Sequence, residues 1–228
     1  MLTASDKDRI AQAIETAEQG TSGEIVCALT GEVSNYPEVP LAWAAAAALA
    51  LPPLALALGL RPLAVAAQAG VWQAAQGAAL GTDLAAAMGV YALTQLVLFL
   101  AVTLFVRIPA VRRFLTPKTL KSHRVDHAAR HHFTALTAAA RGGETGVLVF
   151  VATDDRQVRI LAASNLHEKA DEAAWARAAD AVGAAMKAGH DPTSGIVEAI
   201  QICGEALKAH FPSSEGPAHV FSSRPMEI

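Results

Sequence analysis

From Leu41 to Val106 the chain carries only two formal charges, Arg61 and Asp83. This gap constrains the fold more than any other feature. A stretch so poor in charge belongs inside a protein core or inside lipid, because an ionised group costs heavily in either place. Its second half, Ala86 to Val106, has no charge and is rich in Leu, Val and Phe. About 20 apolar residues are enough to cross the hydrocarbon core as a helix. The first half, Leu41 to Leu60, is softer. Ala44 to Ala48 are consecutive alanines, and Pro52-Pro53 is expected to break the helix near its middle. Such breaks are tolerated in membranes when neighbours satisfy the freed carbonyls. Gln95 and Thr94 are candidates to hydrogen-bond across a hairpin of the two segments. Trp43 stands where an interfacial anchor is expected.

Charge on the flanks gives the orientation. Arg107, Arg112, Arg113, Lys118, Lys121 and Arg124 follow the second segment, whereas the linker at 61–85 has Arg61 alone as a basic residue. The positive-inside rule places the heavily basic exit in the cytoplasm. Two crossings then return the preceding arm to the same side. The sequence therefore predicts transmembrane helices at 41–60 and 86–107, with both termini cytoplasmic. A buried hairpin in a soluble protein is the competing reading.

Composition excludes several classes. The hydrophobic fraction is 53%, above the soluble norm, and the net charge of −3 offers no basic surface for nucleic acid. Cys27 and Cys203 lack metal-type spacing and have apolar neighbours. Buried, reduced thiols are expected, with a disulfide as the alternative. Met1 to Gly20 is polar and helix-patterned, which argues against a signal peptide. No phosphate-binding loop, dinucleotide fingerprint or nucleophile elbow is present.

The arms read as halves of one domain. Ser5 or Asp6 can cap a helix with Ile10, Ile14 and Ala17 on one face, and Gly20 suits its end. Glu24 to Thr30 is a buried strand, but one helix and one strand cannot bury a core. After the apolar segments come a helix at 122–140, a strand at 147–152 and a tight connection at 153–157. A strand at 158–162, a helix at 168–187 and a helix entered at Asp191-Pro-Thr-Ser194 follow. The first two strands and the helix between them form a βαβ unit, with the hairpin inside its crossover. The stretch 212–228 is rich in Pro and Ser and is expected to be loosely ordered.

The order Ser22-Gly-Glu-Ile-Val26, Thr145-Gly-Val-Leu-Val-Phe-Val-Ala152, Asp154-Asp-Arg-Gln-Val-Arg-Ile160 and Gly195-Ile196 resembles the TPM domain family. Pro109-Ala-Val-Arg-Arg-Phe-Leu-Thr-Pro117 is similar to a bacterial branch in which a membrane hairpin interrupts that domain. The resemblance implies an α/β fold: a small three-layer αβα domain, here from 1–36 and 120–211, split by an inserted two-helix transmembrane hairpin. Some members of the family are phosphatases, and some bind calcium or another divalent ion through acidic loops. Carried onto this chain, the piece that matches is Asp154 and Asp155, with Glu168 as a further ligand, for Ca or Mg. Tight turns favour Asp for their own reasons, which is the competing reading. The chain also departs from the family where a Gly-Leu-Glu is common, carrying Asn165-Leu-His167 instead.

His123, His127 and His131 recur at helical spacing, with His132 beside them. Imidazoles one turn apart can hold zinc, but no His-Glu-x-x-His accompanies them. A wet face of His and Arg near anionic lipid is the favoured reading. The functional expectation is an interaction or accessory module at the cytoplasmic face, with membrane lipid and another membrane protein as partners and no nucleic acid. A divalent-metal-dependent phosphatase is the alternative.

Overall fold

A computed structural model describes residues 3–58, 82–139, 146–167, 172–189, 191–213 and 222–228. The chain divides into two units. One comprises Met1–Asn35 with Lys118–Ile228, and the other Tyr36–Pro117. The first unit thus draws its residues from both sides of the second in sequence.

In that unit, α1 (Ala4–Glu18) leads into β1 (Glu24–Thr30). After the other unit come α5 (Lys118–Ala139), β2 (Gly146–Ala152) and β3 (Gln157–Ala162). Then follow α6 (Ser164–His167), α7 (Glu172–Lys187), α8 (Pro192–His210) and β4 (Met226–Glu227). The α1 cap differs from expectation. Thr3 caps it, its hydroxyl accepting from the Asp6 amide at 3.2 Å while Asp6 Oδ2 accepts from the Thr3 amide at 2.9 Å. This reciprocal box puts the cap ahead of Ser5 and makes Asp6 its third residue.

The sheet order is β3-β2-β1-β4. β1 and β2 run parallel in register from Glu24↔Gly146 to Thr30↔Ala152, so the βαβ reading holds. β3 returns antiparallel along β2. β4 lies in the stretch expected to be loosely ordered, and it adds a short parallel edge against Ala28 and Leu29.

Alternation along the central strands builds two cores. Ile25, Cys27, Leu29, Val147, Val149 and Val151 face α1, α7 and α8. Val26, Ala28, Leu148, Phe150 and Ala152 face α5 through Val125 and Ala129. Both faces are covered, which is why these strands read as unbroken apolar runs. The result is three layers, α/β/α. At Gly204 an added Cβ would lie 3.0 Å from the Ala17 backbone. Glycine there lets α8 approach α1 closely.

The second unit contains α2 (Glu38–Ala57), α3 (Thr82–Val106) and α4 (Pro109–Leu115). Contrary to the expected break, α2 runs through Pro52 and Pro53. Proline lacks the N–H that would bond to the carbonyl four residues back. For Pro52 that carbonyl is Ala48 O, and Gln95 Nε2 of α3 donates to it at 3.2 Å. Gln95 thus bridges the hairpin as anticipated, whereas Thr94 Oγ1 bonds within its own helix, to Val90 O at 2.8 Å. Trp43 Nε1 donates to Leu115 O at 3.3 Å. Windows at Glu38–Ala55 and Met88–Val106 have mean hydropathies of 1.4 and 2.1, so two helices are long and apolar enough to span a membrane. The expected linker at 61–85 lies outside the described residues up to position 81, and α3 takes up its end.

Candidate functional site: an acidic cleft at the ends of the parallel strands

β1 and β2 end side by side, and their carboxyl ends open onto a cleft of about 510 Å³. In open α/β sheets this end of the strands is where ligands commonly bind. The turn from β2 to β3 forms its floor. Thr153 N donates to Thr30 O at 2.9 Å and Asp154 N to Gly31 O at 2.8 Å, so the turn is stitched to the end of β1. Arg156 closes it with φ +52, a left-handed conformation.

The two aspartates of the turn part company. Asp154 lines the cleft, and its Oδ2 lies over Gly31, 3.5 Å from where a Cβ would stand. Asp155 is buried, and its Oδ2 accepts from the Val33 amide at 3.1 Å. That bond ties down the loop leaving β1. The structure therefore does not present the pair as one chelating edge. Glu24, at the opposite end of β1, is not beside them. Glu168 and Asp171 lie outside the described residues.

The carboxylates that do meet Asp154 at the cleft are Asp6, Asp191 and Glu227. Each has other duties. Hydrogen bonds from Thr3, with the Arg9 charge adding less, hold the Asp6 carboxyl below its ordinary range. Asp191 caps α8, accepting from Thr193 N at 3.0 Å, and lies 3.4 Å from Arg9. Glu227 pairs with Lys7 at 2.8 Å. Among the described residues no group of three or more His, Cys, Asp or Glu side chains could hold a metal ion. As arranged, these carboxylates do not fit a divalent cation. Sequence spacing could not have found them, since they come from three distant segments. Only the helix-start patterns at Asp6 and Asp191 gave a signal, and that signal is for capping.

The histidines are dispersed by function. His123, His127 and His131 sit on the exposed face of α5, while Val125 and Ala129 are buried on the other. His132 turns inward and stacks on Phe150, with ring centroids 5.8 Å apart. Side chains at 165 and 167, where the chain departs from the family pattern, lie outside the described residues. Cys27 and Cys203 are free and buried. Burial pushes both thiols up to about 12.

The fold and cleft define an α/β/α domain whose β1–β2 crossover contains a helical hairpin. Residues 111–206 match the family model of the TPM domain; the α/β unit is TPM-like. The NMR structure of the BA42 protein from the psychrophilic bacterium Bizionia argentinensis is similar, with a TM-score of 0.53 and 16% identity over 100% of this chain and 96% of that one. At that identity the likeness is one of fold. No curated protein matches this chain.

Proposed function

We propose that this chain is a membrane-anchored interaction or accessory module, its TPM-like domain held at the cytoplasmic face of a bacterial inner membrane by the α2–α3 hairpin. The observation that carries the reading is the exposed apolar surface of the hairpin. Leu49, Leu58 and Leu104 are each about two-thirds exposed (69%, 66% and 65%), which water would penalise and lipid would not. The run of Arg and Lys from Arg107 to Arg124 supports the cytoplasmic orientation. An accessory role is supported by the cleft, where Asp6, Asp191 and Glu227 are engaged with caps and cations.

Crosslinked pulldown of the full chain from native membranes tests this. A reproducible membrane-protein partner is expected. Recovery of the chain alone, under conditions that capture known complexes, would overturn the accessory role. A reporter assay placing Met1 and Ile228 on opposite sides of the membrane would overturn the anchoring.

Phosphatase activity with a divalent ion is the second reading, favoured by one observation: Asp154 lines the cleft at the carboxyl ends of β1 and β2. It requires carboxylates of the cleft to exchange their present partners for a cation. Phosphomonoester hydrolysis by the full chain in detergent with Mg or Ca, abolished by Asp154→Ala, would establish it. Hydrolysis unchanged in that variant would remove the site.

A further inference from the structure

The two edges of β1 are treated very differently. Toward β2 it pairs along its whole length. Toward β4 it pairs only at Ala28 and Leu29. An open strand edge displays unpaired N–H and C=O groups and is a template for another strand. The start of this edge is blocked by a side chain: buried Glu18 accepts from the Ile25 amide through Oε1 at 2.8 Å. The far end is left to a short segment of the same chain, which pairs there at Met226 and Glu227.

Of that segment Pro225 is buried, whereas Met226, Glu227 and Ile228 are exposed. Ile228 N donates to Leu29 O at 2.9 Å. Glu227 pairs with Lys7 at 2.8 Å, both side chains more than a third exposed, and Arg224 lies 3.8 Å from Asp8, both largely exposed. Exposed ion pairs contribute little, and two paired residues fall far short of a self-sustaining strand. Such a segment belongs to the part of a structure that opens first.

We propose that the edge of β1 at Ala28–Leu29 is a docking site for an extended segment of a partner protein that carries a carboxylate at the position of Glu227, with this chain's own Met226–Ile228 as a displaceable occupant. The inference rests on the interaction-module reading and names the kind of partner. Strand addition supplies sequence-independent main-chain hydrogen bonds, and side chains that alternate along the strand supply selectivity. The seated tail shows the selectivity. Its carboxylate meets Lys7, and its Arg224 lies beside Asp8. Exchange has a consequence for the cleft, because Glu227 and Ile228 form part of its wall beside Asp154. A partner strand entering here would reshape access to Asp154.

The test uses the full chain in detergent or nanodiscs, a variant lacking residues 222–228, and a fluorescent peptide of the sequence Ser222–Ile228. The truncated chain should bind the peptide saturably, and the intact chain markedly less. A Glu227→Lys peptide should bind severalfold more weakly, and Lys7→Glu in the truncated chain should restore it. The full-length Glu227→Lys variant, which keeps every residue of the fold, should bind the wild-type peptide better than the unaltered chain does. No binding to either variant while β1 and β2 amides stay protected from exchange would overturn the proposal. So would binding indifferent to charge reversal, or equal binding to the intact chain. A partner captured from membranes that the peptide fails to displace would overturn the docking site and leave the module reading intact. Peptide binding with no partner captured would do the reverse.

Discussion

The two units use similar apolar residues for opposite ends. In the α/β unit, Ile10, Ile14, Leu148, Phe150, Ile196 and Leu207 are all but completely buried. In the hairpin unit, Leu96, Val97 and Leu100 of α3 stand more than half exposed. Both patterns minimise contact between hydrocarbon and water, but only the first does so by itself. On the membrane reading proposed above, the second does so in lipid, and its helices have apolar residues on every side rather than on one stripe. The difference teaches that the hairpin is an inserted unit whose apolar side chains stay largely exposed, whereas the α/β unit buries its own.

The sharpest way to break this comparison is charge in α3. Replacing Leu96 and Leu100 by Lys should cost about 2.5–3.5 kcal/mol per residue for insertion at a helix centre. The chain should then leave the membrane fraction in alkaline extraction. Retention would favour a soluble hairpin. Truncating a buried ring on the other side, Phe150→Ala, should cost the α/β unit about 3–5 kcal/mol in denaturant unfolding and leave membrane integration unchanged. Loss of integration would show that the units are not independent.

Smaller effects probe single bonds. Asp155→Ala removes the acceptor for the Val33 amide and should cost about 1–3 kcal/mol, whether or not a divalent ion is added. A loss that appears only with metal present would return Asp155 to a ligand role. Gln95→Leu leaves the Ala48 carbonyl without its donor from α3. About 0.6–1.7 kcal/mol of hairpin stability should go with it, measurable by steric trapping.

The buried thiols give a pH test. Because burial raises Cys27 from 9.0 to about 12, the folded state holds a proton that the unfolded chain loses first. That stability contribution is complete below pH 9 and declines as pH rises toward 12. Cys27 should resist alkylation at pH 8 in the folded chain and react after unfolding, as read by mass spectrometry. Ready alkylation of the native protein would show that the β1–α8 layer opens.

Much of the fold was legible because burial leaves a pattern in sequence. The runs Glu24–Thr30 and 147–152 are strands for lack of polar alternation, and parallel pairing follows from a helical crossover between them. The charge gap marked both apolar helices. The reading failed where a local cue met a distant partner. Pro52-Pro53 predicts a break, yet α2 continues, with a donor from α3 reaching the Ala48 carbonyl. Nothing local in the tail marks Met226 and Glu227 for the edge of β1, where they pair with Ala28 and Leu29. Asp154 and Asp155 are adjacent letters, and one faces the cleft while the other is buried beneath the turn.

The sequence by itself determined which segments are apolar, which of them are helices and which strands, and that the arms need each other to build a core. These follow from solvation and backbone preference, which act residue by residue. Only the tertiary structure decided which carboxylates share a cleft and what already binds them. Asp6, Asp191 and Glu227 reach Asp154 from segments far apart in the chain, and long-range proximity leaves no local mark. The same holds for the edge of β1. Its exposure depends on which strands lie beside it, so the tail's place there is a property of the sheet rather than of the tail.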